Sequence, residues 1–160
     1  MKFARNCISS LIMVALVTGC SIFPEEPSYE LDVLLAAPDT VSLGGQEYAL
    51  ETYMWRDFMP ISPANGRSLI AIIWVTETDS LSISQEINAT TLFVINDDEV
   101  WETPFSEEDR PPTPEYKLEK VARDGPKWGP NILVTVVVEI EMDGSTYLLK
   151  ASDQYIGATY

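Results

Sequence analysis

From residue 30 onward the chain runs in short apolar segments separated by turn-forming residues, and no segment keeps a convincing helical period. That spacing predicts an all-β domain. The clearest segment is Asn131 to Met142 (NILVTVVVEIEM), followed by Asp143-Gly144 and then Ser145 to Ala151 (STYLLKA). Asp-Gly between two such runs signals a two-residue hairpin turn, which needs positive φ at both central positions. Pairing Met142 with Ser145 sets Ile140 against Tyr147, Val138 against Leu149 and Val136 against Ala151. On the other face Glu141 meets Thr146 and Val137 meets Lys150. The first face is apolar and should bury, while the second should be mostly wetted. A slip of one residue would bury the glutamates, so the register is well specified.

The remaining segments follow the same logic. Gln46 to Met59 reads as a long strand, bent near Met54-Trp55-Arg56 and stopped by Pro60 and Pro63. Ser68 to Thr78 is apolar on both faces and reads as a central strand. Gln85 to Ile95 and Val100 to Phe105 form a hairpin around Asn96-Asp97-Asp98-Glu99, and Tyr116 to Arg123 adds another strand. Either Leu31 to Leu35 or Thr40 to Leu43 supplies an edge. The expected architecture is an immunoglobulin-like or fibronectin-like antiparallel β-sandwich of seven or eight strands, with a small β-barrel as the alternative.

The start of the chain has a different character. Lys2 and Arg5 form a positive n-region, Ile8 to Val17 is almost wholly apolar, and small residues follow. About 15 Å of helix would fit in that run, against a bilayer core of roughly 30 Å, so it suits a secretory signal better than a membrane span. Val17-Thr18-Gly19-Cys20 resembles the lipobox of bacterial lipoprotein precursors. The resemblance implies that Val17, Thr18 and Gly19 are read by the signal peptidase and that cleavage falls before Cys20. It further implies a diacylglyceryl group on the Cys20 thiol, acylation of the new amine, and, because Ser21 rather than Asp follows, an outer-membrane destination facing the periplasm. Residues 1–19 are then the signal peptide, 20–29 a lipidated cysteine and short tether, and 30–160 one β domain. Cys7 would leave with the leader, making Cys20 the sole mature cysteine. An immunoglobulin-type disulfide is then impossible.

Charge narrows the partners. All 25 acidic residues remain after such cleavage, with eight of the ten basic ones, for a side-chain balance of −17. A surface of that sign repels phosphate backbones and anionic headgroups, so nucleic acid is not an expected partner and only the lipid should enter the membrane.

Chemistry is harder to find. With no histidine anywhere, the commonest general base, the commonest zinc ligand and the usual serine triad are all missing. Glu102, Asp57 and Glu139 could act as a carboxylate pair only in the sense that many acids put some pair at a suitable spacing by chance. Asp97, Asp98 and Glu99, and separately Glu107-Glu108-Asp109, crowd carboxylates into loops where calcium could bind, although solvated turns explain them as well. In Asp124-Gly-Pro-Lys-Trp-Gly-Pro-Asn131, two Gly-Pro steps bracket Trp128. Trp128 is either an exposed anchor for a partner or glycan, or, the preferred reading, a plug on the core. Trp55 and Arg56, with Tyr53 and Phe58, pose the same choice, whereas Trp74 and Trp101 are expected in the core. No catalytic residue and no cofactor other than the covalent lipid is expected. The functional expectation is a non-enzymatic, lipid-anchored accessory or scaffold module whose partner is another envelope protein. Alternatives are a glycan or small-ligand module using Trp128 and its loops, or a calcium-dependent adhesion module.

Overall fold

The computed structural model describes residues 28–160, so the leader 1–19, the motif Val17 to Cys20 and the tether up to residue 27 lie outside the described residues. Within them the alternating segments become eight strands. These are β1 (Thr40–Leu43), β2 (Gln46–Asp57), β3 (Leu69–Glu77), β4 (Asn88–Asn96), β5 (Glu99–Pro104), β6 (Lys117–Gly125), β7 (Ile132–Met142) and β8 (Ser145–Thr159). The β7–β8 hairpin adopts the predicted register, from Met142 opposite Ser145 to Val136 opposite Ala151. Asp143 and Gly144 take φ of 51° and 73°, the two positive values this turn requires.

The predicted end of β8 at Ala151 is overturned. Val136 pairs with Ala151 but Val134 with Gln154, so Ser152 and Asp153 stand opposite the single residue Thr135. Asp153 takes φ of 56° in this bulge, and β8 bends and continues to Thr159 instead of stopping. Its extension lies parallel to the end of β2, with Met54 opposite Ile156, Trp55 opposite Gly157 and Asp57 opposite Thr159.

That one parallel pairing changes the architecture. It joins strands into a single sheet in the order β5-β4-β7-β8-β2-β3-β6, with β1 added on β2. The fold is all-β, but it is one mixed sheet curled into a half-barrel and not two stacked antiparallel sheets. The two ends of the sheet approach each other, and Ser106, just beyond β5, donates its backbone N–H to Val121 of β6 at 2.8 Å.

Alternation along each strand fills the concave side. Tyr48, Met54, Leu69, Ile73, Leu92, Val138, Ile140, Leu149 and Ile156 are buried together there. At roughly 1.5–3 kcal/mol for each large side chain, this interior is the main source of stability.

The convex side carries a second, smaller core. Residues 31–35, which could have supplied an edge strand, instead form a short helix, α1 (Leu31–Leu35). Leu31 and Leu34 fall on one helical face, and Leu34 with Ala37 buries Phe93, Ile95 and Val137 of β4 and β7. Thr40–Leu43, the other option, is the edge strand paired with β2. The outer face of β7 is consequently not mostly wetted: Val137 is fully buried under α1. Lys150 clasps this segment, donating its backbone N–H to Pro38 O at 2.8 Å and its ammonium to Leu35 O at 2.9 Å.

Candidate functional site

Among the described residues, two of the surface grooves and two polar clusters, one buried and one half-buried, carry side chains capable of chemistry or recognition. The larger groove, about 650 Å³, lies at the seam between the β5 and β6 ends of the sheet and includes Phe105, Glu108, Arg110 and Glu119. Several of its charges are held in ion pairs. Arg123 donates two hydrogen bonds to Glu108, and Arg110 pairs with Glu119. Glu119 also accepts from the Trp74 indole at 2.6 Å. The hydrogen bond from Arg123 holds the Glu108 carboxyl below its ordinary range despite partial burial, and Glu108 in turn raises Arg123. Trp74 thus stands half-buried on the outer face, against the expectation of a core position, because its neighbours Ile73 and Val75 take the inward positions.

Arg56 is almost completely buried, at 1% exposure, without a carboxylate partner among the described residues. Its guanidinium donates to the carbonyl oxygens of Arg67 at 3.0 Å, Lys127 at 2.9 Å and Gly129 at 2.8 Å, and to that of Asn65. The planar fork matches several fixed carbonyls at once. Phe58 covers it, with the guanidinium 5.0 Å from the ring centroid. Desolvation lowers its pKa. Arg56 therefore ties the 60–67 loop to the Trp128 loop and faces no solvent. Trp128 itself is partly buried against the interior of the half-barrel, as is Trp101.

The second polar cluster sits under the N-terminal segment. Glu139, on the outer face of β7, accepts from Thr90 at 2.6 Å, Tyr29 at 2.7 Å and Thr91 at 3.3 Å. Burial pushes this carboxyl up, but the hydrogen bonds from Thr90, Tyr29 and Thr91 outweigh it and leave it lowered. The same bond to Glu139, reinforced by burial and by the negative charges of Glu139 and Glu102, pushes the Tyr29 phenol up to about 12. Glu102 accepts the Ser28 backbone N–H at 2.7 Å, and Asp57 accepts that of Met59 at 2.8 Å. Glu102, Asp57 and Glu139, the three acids singled out above, each hold a structural hydrogen bond.

The smaller groove, about 500 Å³, follows the β2–β8 junction. Met54 and Ile156 point into the core, so their neighbours Tyr53, Trp55, Tyr155 and Gly157 take the outer face. Tyr53 is 55% exposed, Tyr155 54%, and Leu133, paired with Tyr155, 59%. The Tyr53 and Trp55 rings lean on each other at 5.2 Å. Thr52 donates to Gln154 Oε1 at 2.6 Å where the two strands diverge, and the Tyr155 hydroxyl donates to Asn131 Oδ1. A Cβ at Gly157 would make ordinary contacts with Met54 O at 3.6 Å and Tyr155 Cε1 at 3.8 Å, so the missing side chain leaves a shallow notch beside the Tyr155 ring. Charged side chains are absent from this lining.

Of the residues predicted from sequence, the fold brings Trp55 into this surface and sends Arg56 and Trp128 to a neighbouring buried joint. Tyr155, Gln154, Gly157 and Leu133 were not singled out. Tyr-Ile-Gly at 155–157 alternates as a strand does, but nothing local says that it will lie beside Tyr53.

Asp97 and Asp98 form the β4–β5 turn, with Asp97 at φ of 56° and Glu99 paired with Asn96. Among the described residues no three His, Cys, Asp or Glu side chains converge into a metal site. Glu77 is buried and accepts the Leu81 N–H at 2.6 Å through Oε2, while Oε1 has no partner among the described residues. No helix among them is long and apolar enough to cross a membrane. No protein family, no curated protein and no solved structure matches this chain.

Proposed function

We propose that this protein is a lipid-anchored module of a bacterial envelope, tethered through Cys20, that works by binding and not by catalysis. The lipobox-like Val17-Thr18-Gly19-Cys20 supports the anchor, and Ser21 favours the outer membrane as its destination. One lipid chain holds only weakly, so two or three on Cys20 would be needed for durable attachment. The observation that carries the binding role is the exposed surface of Tyr53, Tyr155 and Leu133, with the half-buried Trp55 against Tyr53, which no element among the described residues covers. Large aromatic side chains left in water on a rigid sheet are costly unless something covers them, and they are the groups that dominate recognition energies. A role as an accessory or scaffold subunit in the envelope follows from that surface together with the tether.

Two measurements test the reading in intact cells. Cys20→Ser should abolish the lipid, so that both the mass of the product and its partitioning between membrane and soluble fractions change. A photo-crosslinking residue at Tyr53 or Tyr155 should give specific adducts that the same residue at Asp98 does not. Unchanged partitioning would remove the anchor, and indistinguishable adduct patterns would remove the binding surface.

A further inference from the structure

The β2–β8 groove has a composition that selects its occupant. The chain carries 25 acidic and ten basic residues, yet the groove is lined by Thr52, Tyr53, Asn131, Gln154, Tyr155 and Gly157 and their neighbours without one charged side chain. An anionic ligand would find no cation there and would be repelled by the net charge of −15. A cationic ligand would find no acidic side chain in the lining. What the lining offers is aromatic faces and neutral polar groups in alternation. Tyr53, backed by the Trp55 ring, forms one wall and Tyr155 the other, with the notch over Gly157 beside Tyr155. The Asn131 amide accepts from Tyr155 through Oδ1 and keeps its NH₂ donors. Gln154 holds Thr52 through Oε1 and Ser152 O through Nε2, which leaves one donor and one lone pair.

We infer that the β2–β8 groove is a binding site for a neutral glycan. A sugar ring presents an apolar face of C–H bonds and a rim of hydroxyls. The face fits against a Tyr or Trp ring, and the rim fits amides and phenols that can both donate and accept. The parallel pairing fixes both walls on adjacent strands, so the site is preorganised and costs little ordering entropy on binding. Gly157, the partner of Trp55 in the parallel register, adds no side chain to the groove and so supplies its depth. This inference rests on the reading that the aromatic surface is the binding face.

The test uses the full-length protein in detergent micelles, with tryptophan fluorescence and titration calorimetry. The probes are the neutral oligosaccharides cellohexaose, chitohexaose and maltohexaose, and the anionic hexagalacturonate. Saturable binding is expected for at least one neutral probe and none for the anionic one, with little change on adding salt. Tyr155→Ala should weaken that binding about tenfold, the loss of roughly 1.4 kcal/mol. Gly157→Leu, which fills the notch at a position with ordinary contacts and keeps every aromatic, should weaken it at least as much without lowering the melting temperature. Failure of all three neutral probes, or binding that both variants retain, overturns the inference. If the probes fail while Tyr53 still crosslinks specifically in cells, the occupant is not a glycan but the surface stands; if both fail, the binding surface falls too.

Discussion

Tyr29 and Glu139, 110 residues apart in sequence, meet through a single hydrogen bond of 2.7 Å. The phenol also stands edge-on to Phe93, with ring centroids 5.6 Å apart at 86°. This pair fastens the N-terminal segment to the outside of β4 and β7, next to the apolar cluster under α1. The tether was expected to reach residue 29; Ser28 and Tyr29 instead already belong to the folded surface.

The pair should be visible in the pH dependence of stability. Tyr29 is raised from an ordinary 10.0 to about 12, so the folded state keeps a proton that the unfolded chain has released. Its contribution is fully present below pH 10.0 and declines as the pH climbs toward about 12. Tyr48, raised chiefly by burial, adds to the same decline. Glu139 is lowered from 4.5, so its contribution is present above that value and is lost as the pH falls through its folded value. In urea denaturation, Tyr29→Phe should cost about 1 kcal/mol at neutral pH and flatten the alkaline decline. An alkaline slope identical to wild type would contradict the assignment.

Arg56 should be the least replaceable polar residue of the fold. Arg56→Ala leaves the carbonyls of Arg67, Lys127, Gly129 and Asn65 without their shared donor. A loss of about 3 kcal/mol or more is expected by chemical denaturation. Arg56→Lys should recover little of it, because an ammonium cannot reproduce the planar fork. Full rescue by lysine would show that the charge, and not the fork, matters.

Gly125 lies at the end of β6 beneath Trp101. An added Cβ would come within 2.7 Å of the indole ring. Gly125→Ala should therefore displace Trp101 and destabilise the domain by about 1–3 kcal/mol. A near-ultraviolet circular dichroism spectrum and melting temperature equal to wild type would refute this.

The acidic turn at Asp97-Asp98-Glu99 gives a simple metal test. Because its three carboxylates do not converge into a metal-holding group among the described residues, millimolar calcium should shift the melting temperature no more than magnesium at the same ionic strength. A calcium-specific rise that Asp97→Asn abolishes would restore the adhesion alternative.

How much of this could be read in advance follows from the range of the forces involved. Local alternation and turn chemistry made the β7–β8 register legible, since Asp143-Gly144 sets the turn and the glutamates forbid a slip. The same alternation placed β2 to β6 to within a few residues. Leu31 to Leu35 went the other way: Leu31 and Leu34 are equally at home on a strand, and only the apolar outer face of Phe93 and Val137 made the helix the better burial.

The tertiary structure alone decided the topology and the candidate site. The bulge at Asp153 carries β8 past its apparent end, and the parallel pairing with β2 converts two would-be layers into one curled sheet. Neither Tyr53 nor Tyr155 has a local reason to meet the other, and Arg56 has no local reason to be buried. Sequence by itself determined what short-range periodicity and turn geometry dictate: strand identity and hairpin register. Which outer faces stay uncovered, and which side chains share them, depends on long-range pairing between segments about a hundred residues apart. Alternation sets the face of each strand but leaves its neighbour unspecified.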